Sequence, residues 1–119
     1  MLDHLEFIVS DPEKTTELLK HFGYEVIRHT EHQGGAYELA CKEQPSLILE
    51  IVRKRPQDKL GMNHPAFLIP GKEEYKRIRE SVSYDPTELH YVSGSGRYVS
   101  NIYDENEIKW QMILAQTEE

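Results

Sequence analysis

The sequence predicts an α+β fold in which one βαβββ motif is used twice. Three observations lead to this prediction. Residues 2–9 resemble residues 62–69, the two segments have the residue alternation of strands, and each runs into a segment with helical spacing. A chain of 119 residues is long enough for one modest core. We therefore expect a single domain, 1–119, with modules at 1–52 and 62–119 and a linker at 53–61.

Composition limits the classes of function. The formal net charge of -7 excludes a nucleic-acid partner, because such proteins need a basic face, and leaves a small molecule as the expected partner. We expect no signal peptide and no membrane span, since the first residues lack a basic region and no apolar run is long enough. Cys41 is the single cysteine, so it forms no intramolecular disulfide, and we expect a cytoplasmic protein.

The first module begins with a strand and a helix. Leu5, Phe7 and Val9 recur at every second position, as in a strand with one buried face. Residues 10–13 read Ser-Asp-Pro-Glu, an N-cap followed by proline and acid in the first helical turn, and Gly23 marks the end of the helix. Three further strands are predicted at 24–30, 36–41 and 46–52. A glycine-rich turn at 33–35 separates the first two of them.

The second module repeats this order. Residues 63–69 form its opening strand, and Pro70-Gly71 introduces a helix with Tyr75, Ile78 and Val82 at helical spacing. Turns at 93–96 and 104–107 separate the remaining strands, which are predicted at 89–92, 98–103 and 108–114. The two halves are therefore expected to fold alike.

Four polar residues occupy equivalent places in the two halves. His4 aligns with His64 and, with one residue of slippage, Glu50 aligns with Gln111. Strand parity puts each of them on the less apolar face of its strand, where they could line a concave sheet. A carboxylate such as Glu50 inside an apolar strand needs a partner or a solvated cleft. Two imidazoles, a carboxylate and an amide suit a divalent cation of Zn, Ni, Co, Mn or Fe, with positions left for water or substrate.

Other polar and aromatic residues are less specific. Arg97 stands beside the glycine-rich segment 93–96 and is a candidate to bind an anionic group of a substrate. Tyr98 follows it, and we expect this ring in the core or in the pocket wall, where it is a candidate to contact the substrate. The basic residues at 53–55 are more typical of a solvated linker than of an anion site. Surface positions are expected for the histidines that have no partner in the repeat, which are His21, His29, His32 and His90.

The order of these motifs resembles the vicinal oxygen chelate superfamily. That group includes glyoxalase I, fosfomycin-resistance transferases, bleomycin-resistance proteins, methylmalonyl-CoA epimerase and extradiol dioxygenases. The resemblance covers essentially the whole chain and rests on Phe22-Gly23-Tyr24, Leu47-Ile48-Leu49-Glu50-Ile51, Asn63-His64-Pro65-Ala66-Phe67 and the segment from Tyr103 to Gln111. It implies that the two βαβββ modules form a curved, cleft-bearing mixed sheet and that the protein is a homodimer.

The resemblance also implies a chemistry. His4, Glu50 and His64 match three of the four glyoxalase-type metal ligands, and Gln111 stands where the family most often has Glu. Gln is accepted as a ligand elsewhere in the superfamily, but an amide cannot take a proton, so Glu50 is the remaining candidate base. The implied protein is a divalent-metal-dependent lyase or isomerase, acting on a small oxygen-rich metabolite through an enediolate-type intermediate.

Two other functions remain compatible with the residues. A metal-free binding module of the bleomycin-resistance kind would hold a drug or metabolite between protomers, by apolar and aromatic walls with a few polar anchors. A duplicated regulatory or dimerisation module would keep the polar positions without any ligand. Binding of divalent ions separates the enzyme from both, and stabilisation by an aromatic or cationic ligand separates the binding module from the regulatory one.

Overall fold

A computed structural model describes residues 1–94 and 96–114. Its elements follow the predicted βαβββ order twice, and they are β1 (Leu2–Val9), α1 (Pro12–His21), β2 (Tyr24–Thr30), β3 (Ala36–Cys41), β4 (Gln44–Arg53), β5 (Gly61–Ile69), α2 (Lys72–Ser81), β6 (His90–Val92), β7 (Arg97–Tyr103) and β8 (Lys109–Leu114). Ser95, in a predicted turn, and the last five positions of the expected second module, 115–119, lie outside the described residues.

All eight strands join one curved sheet in the order β2-β3-β4-β1-β5-β8-β7-β6. The first strands of the two halves, β1 and β5, lie side by side in the middle and run antiparallel. Each has the last strand of its own half as a parallel neighbour, β4 beside β1 and β8 beside β5. The predicted fold class, a curved mixed sheet made from two βαβββ units, is confirmed.

The first helix begins and ends at the predicted signals. The side chain of Asp11 accepts a hydrogen bond from the backbone N–H of Lys14 at 3.2 Å, and Pro12 follows in the first turn. Gly23, with a φ of 93°, comes just after the C-cap Phe22 and leaves the helix in a conformation that favours glycine. None of the helices in the described ranges is both long and apolar enough to cross a membrane.

The apolar residues of the second half form two clusters on opposite faces of the sheet. The cluster on the helix side contains Tyr75 of α2 with the strand residues Ile69 and Met112. The cluster on the other side contains Ala66 and Ile113. Because neighbouring strand residues alternate between faces, Met112 and Ile113 belong to different clusters. The side without helices is the one that carries the polar residues of the candidate site.

Three strands are longer than predicted. β4 starts at Gln44, β5 starts at Gly61 within the expected linker, and β7 starts at Arg97. The added residues are held by main-chain pairing with a neighbouring strand, as in the pairs Cys41 with Gln44 and Ile8 with Gly61. This pairing does not depend on alternation of apolar side chains, so the sequence pattern did not indicate it.

Candidate metal centre

Acidic and imidazole side chains form a row across four neighbouring strands. Glu38 of β3 pairs with Glu50 of β4, which pairs with Glu6 of β1. Glu6 in turn pairs with His64 of β5, and His4 lies two residues before Glu6 on the same face. Paired strands lie about 4.8 Å apart, so these side chains are neighbours. The register therefore brings His4, Glu50 and His64, which the sequence singled out, to one place.

The imidazole of His4 is held at one nitrogen and open at the other. Its Nδ1 lies 2.8 Å from Oδ2 of Asp3, and the same oxygen accepts a hydrogen bond of 2.7 Å from Arg97. Its Nε2 is buried, lies 3.2 Å from Oε1 of Glu50 and makes no hydrogen bond. A carboxylate on the far nitrogen is common at metal-binding histidines, because it orients the ring and raises its basicity.

His64 has the same arrangement with a neutral partner. Its Nδ1 lies 3.0 Å from Nδ2 of Asn63, which also donates a hydrogen bond of 2.9 Å to Oε2 of Glu6. The amide nitrogen of Asn63 only donates, so Nδ1 of His64 accepts and the proton of the neutral ring lies on Nε2. A cation bound at Nε2 would take the place of this proton, and a flipped Asn63 amide would then accept from Nδ1. The side chain of His64 is 2% exposed, and its Nε2 lies 3.6 Å from Oε1 of Glu6 without a hydrogen bond.

The two open Nε2 atoms fit a divalent cation. A buried polar atom without a hydrogen bond costs on the order of 1–3 kcal/mol, which a bound cation would recover. His4, Glu6 and His64 each offer a ligand atom within 4.8 Å of the other two, and the two rings have centroids 6.1 Å apart. Borderline cations such as Zn²⁺ and Fe²⁺ bind this mixture of imidazole nitrogen and carboxylate oxygen. The residues present therefore match the chemistry of a metal site.

Gln111 lies beside His64 and lines a cavity that opens over the polar side chains of the sheet. Its Nε2 donates a hydrogen bond of 3.2 Å to Oδ1 of Asn101. This bond fixes the orientation of the amide and leaves its oxygen, the atom that can bind a cation, outside that contact. Its role as a ligand stays a prediction.

The two histidines have opposite proton affinities. Burial lowers the pKa of His4, but the hydrogen bond with Asp3 and the negative charges of Asp3 and Glu50 outweigh burial and raise this pKa to about 9. Burial, together with the positive charges of Lys109 and His4, lowers the pKa of His64 to about 3. At neutral pH and without a cation, His4 is therefore protonated and His64 is neutral.

The carboxylates also differ from one another. Burial and the neighbouring charge of Glu50 raise the pKa of Glu6 to about 7. Burial acts on Glu50 as well, but the close contact with His4 and the positive charge of His4 dominate and hold its pKa below the ordinary value. The hydrogen bond with His4 lowers the pKa of Asp3 to about 2. Glu50 is therefore ionised at neutral pH, as a ligand or a proton acceptor must be.

A cavity of about 50 Å³ opens over this row. It has room for a cation and a few water molecules, since one water needs roughly 10–15 Å³ of such space. Four members of the row line it, together with polar residues from other elements, namely His32, Arg97 and Gln111, and with the apolar residues Val92, Val99 and Ile113. The cavity is therefore small, with both polar and apolar walls, and His64 is not among its lining residues.

Arg97 and Tyr98, both predicted to contact a substrate, lie on opposite faces of β7. Arg97 lines the cavity and donates to Asp3. Tyr98 packs against the helix-side cluster, and its ring centroid lies 5.1 Å from that of Tyr91. Successive residues of a strand alternate between faces, so the two cannot line the same cavity. The structure does not bring Tyr98 to the site.

Sequence reasoning missed three polar residues that line the cavity. Glu6 and Glu38 lie on strand faces that parity identifies, but neither has a polar partner in the repeat. His32 was expected on the surface and instead lines the cavity from the 3-10 turn between β2 and β3. No periodic pattern places a turn residue over a distant strand, so the sequence contained no signal for His32.

No known sequence family matches the chain, and no curated protein matches it. Solved structures do match. The methylmalonyl-CoA epimerase of Mycobacterium tuberculosis superposes with a TM-score of 0.78 and 14% identity, over 97% of this chain and 87% of that one. A variant of the Streptomyces coelicolor methylmalonyl-CoA epimerase, in complex with 2-nitronate-propionyl-CoA, gives 0.73 and 17%, over 95% of each chain.

A third match has a different activity. The 2,3-dioxygenase LapB from Pseudomonas sp. KL28 gives a TM-score of 0.69 and 13% identity, over 97% of this chain and 42% of that one. The epimerases and the dioxygenase are members of the vicinal oxygen chelate superfamily. Likeness at this level of identity concerns the backbone. The chain thus has the curved, glyoxalase-like fold of the vicinal oxygen chelate superfamily.

Proposed function

We propose that the protein is a divalent-metal-dependent lyase or isomerase of the glyoxalase type, acting on a small oxygen-rich metabolite through an enediolate-type intermediate. The observation that carries this proposal is the pair of buried Nε2 atoms on His4 and His64. Neither atom has a hydrogen bond within the described residues, while the opposite nitrogen of each ring is held by a neighbouring side chain. Two imidazoles prepared in this way beside carboxylates are typical of a metal site with open positions.

The proposed ligands are His4, Glu50, His64 and Gln111. Zn, Ni, Co, Mn and Fe all suit two imidazoles, a carboxylate and an amide oxygen, and five or six coordination leaves positions for water or substrate. When bound, the cation would supply positive charge that stabilises the negative charge developing on substrate oxygens. Asp3 would keep His4 oriented through Nδ1, and Arg97 would hold Asp3 in place.

Glu50 is the proposed base. Its pKa lies below the ordinary value, so it is ionised at neutral pH and has a lone pair to accept a proton from a substrate carbon. Gln111 cannot take this role because an amide does not accept a proton at neutral pH. A single carboxylate base would favour one stereochemical course over the other.

The size and charge of the cavity restrict the substrate. A space of about 50 Å³ admits a small chelating group, with the remainder of any larger molecule outside. Arg97 presents a guanidinium at this cavity, and we propose that it binds an anionic group of the substrate. Epimerases of the same fold were solved with 2-nitronate-propionyl-CoA and with methylmalonyl-CoA. CoA thioesters therefore belong in a substrate screen beside thiol adducts of small oxoaldehydes.

The proposal is tested by elemental analysis of the purified protein, before and after reconstitution with divalent ions. We expect near-stoichiometric metal, and loss of it in the His4→Ala, His64→Ala double variant. A His29→Ala, His90→Ala double variant is the matched control, because neither side chain lines the cavity. Absence of bound metal in the wild type even after reconstitution would contradict the proposal.

One observation favours a second candidate, a metal-free binding protein. Glu6, Glu38 and Glu50 line the same cavity, and three carboxylates could hold a cationic organic ligand. This alternative predicts that such a ligand raises the melting temperature and that divalent ions do not. The enzyme hypothesis predicts the reverse, so one thermal-shift series separates the two.

We also propose that the protein is a homodimer in the cytoplasm. Met62, Ile108 and Trp110 line one surface groove and are 50%, 45% and 38% exposed, which is unusual for large apolar side chains. The free thiol of Cys41 is compatible with a reducing compartment. Light scattering after gel filtration would measure a dimeric mass, and a monomer at micromolar concentration would contradict the proposed assembly.

A further inference from the structure

We propose that the cavity binds a second divalent cation between Glu6, Glu50 and His32, with the two carboxylates bridging it to the first cation. This inference deepens the proposed function and rests on it, since the first cation belongs to His4 and His64. It makes metal ligands of Glu6 and His32, neither of which belongs to the four proposed ligands of the first cation.

The second donor set is as compact as the first. Glu6, His32 and Glu50 each offer a ligand atom within 4.8 Å of the other two. Glu6 and Glu50 are each only 6% exposed, and buried carboxylates need a cationic partner or hydrogen bonds. One imidazole and two carboxylates suit cations such as Zn²⁺, Mn²⁺ and Co²⁺.

The carboxylates lie between the two donor sets. Glu6 belongs to both of them, with His4 and His64 on one side and with His32 on the other. Oε1 of Glu50 is 3.2 Å from Nε2 of His4, so Glu50 also reaches both. A carboxylate has two oxygens and can bind one cation with each. Enzymes with two metal ions hold them about 3.5–4 Å apart, a separation that a bridging carboxylate spans.

The charges of the site favour a second cation. Glu6 and Glu50 face each other in the register of β1 and β4, and two carboxylates that share a buried site repel unless a proton or a cation lies between them. The nearby guanidinium of Arg97 is bonded to Asp3 at 2.7 Å and so neutralises a different carboxylate. A cation between Glu6 and Glu50 would convert their repulsion into attraction.

Two turns hold His32 over the cavity. His32 begins a 3-10 turn, and the side chain of Gln33 in this turn donates a hydrogen bond of 3.0 Å to the carbonyl of Arg53 at the end of β4. From the other side, Gly94 lies directly against His32. A Cβ at this glycine would be 2.8 Å from the Cα of His32, so the close approach requires glycine. The imidazole is therefore positioned before any cation binds.

The test counts cations per chain. Metal-free wild type, His32→Ala and His29→Ala proteins are titrated with Co²⁺ by calorimetry, and the bound Co²⁺ is measured after dialysis. His29 is the matched control, because its ring stacks on Tyr37 at 4.4 Å and does not line the cavity. We expect two Co²⁺ per chain in the wild type and in His29→Ala, and one in His32→Ala. Loaded with Mn²⁺, the wild type should give a spin-coupled spectrum that His32→Ala lacks.

The outcomes separate this inference from the proposed function. One Co²⁺ per wild-type chain, unchanged by His32→Ala, overturns the second site and leaves the proposed function standing. Absence of bound Co²⁺ in the wild type overturns both the second site and the proposed function. Two Co²⁺ in both proteins overturns the assignment to His32. Should His32→Ala fail to fold, Gly94→Ala takes its place. It displaces the imidazole without removing it, so it should also lose one cation, and retention of two would contradict the inference.

Discussion

The two halves of the protein place different chemistry at the same positions. Three carboxylates of the first half correspond in the repeat to two amides and a methyl group of the second, in the pairs Asp3 with Asn63, Glu50 with Gln111 and Glu6 with Ala66. The histidines are common to both halves, but the pKa of His4 is raised to about 9 while that of His64 is lowered to about 3. The duplicated backbone thus fixes where each imidazole stands, and the neighbouring side chains decide its charge.

The two halves therefore contribute different charges to the candidate site. The first half brings negative charge that attracts a cation, whereas the candidate ligands of the second half, His64 and Gln111, are neutral donors. If the second half carried the same three carboxylates as the first, the six of them would repel one another before a cation bound. Two amides in place of acids keep donor atoms while reducing that repulsion. Variants that make the halves more alike or more different therefore test the account.

The largest effect is expected from Glu50→Gln, which makes the first half resemble the second. The variant removes the ionised ligand and the proposed base together. Calorimetric titration should show that the affinity for Co²⁺ falls at least about 100-fold. This loss exceeds the one expected for a residue that only supports a metal ligand. Any activity found in a substrate screen should fall about 10²–10⁴-fold. Glu43→Gln is the control, because Glu43 is exposed and should leave both quantities unchanged.

A smaller loss is expected from Asp3→Asn, which gives His4 the kind of partner that His64 has. The affinity for Co²⁺ should fall about 10–100-fold, the usual cost of losing a carboxylate behind a ligand. The pKa of His4 in the metal-free protein should fall from about 9 toward its ordinary value, because the Asp3 carboxylate helps to raise it. Both changes can be followed by calorimetry and by NMR titration of the imidazole. An unchanged affinity would mean that Asp3 does not support a metal ligand. Asp85→Asn serves as the control, because Asp85 is exposed.

The internal repeat explains which residues of the site could be predicted from the sequence and which could not. Alternation and the repeat predicted the strand faces, and the structure brings His4 and His64 to 6.1 Å between ring centroids. Requiring a polar partner in the other half discarded Glu6, whose counterpart is Ala66. His32 comes from a turn, where no alternation indicates direction. The residues that break the symmetry are therefore the ones that a symmetry argument cannot find.

The metal-free protein should become less stable as the pH rises from 7 to 9. The pKa of His4 is raised from 6.5 to about 9 in the folded state, so its stabilising contribution is complete below pH 6.5 and is lost as the pH passes 9. The loss should be on the order of 1–2 kcal/mol. His64 is neutral in this range and adds nothing. Urea unfolding at several pH values measures the slope, and a His4→Gln variant with the same slope would contradict the assignment.

The smallest effect is expected from Gln111→Glu, which makes the second half resemble the first. One more carboxylate would attract the cation, but it would also repel Glu50 in the metal-free protein. The affinity for Co²⁺ should rise by only about threefold, or roughly 0.6 kcal/mol. Gln111→Ala should lower the affinity instead. An affinity that is the same in all three proteins would remove Gln111 from the proposed ligands.

The most direct test of the central claim is the position of a bound cation. Crystals grown with Co²⁺ and measured at its absorption edge would locate the ion by anomalous scattering. We predict a peak about 2.0–2.1 Å from Nε2 of both His4 and His64, the distance expected for bonds between a metal and imidazole. Full occupancy of a cation elsewhere on the chain, with no peak between the two imidazoles, would contradict the account.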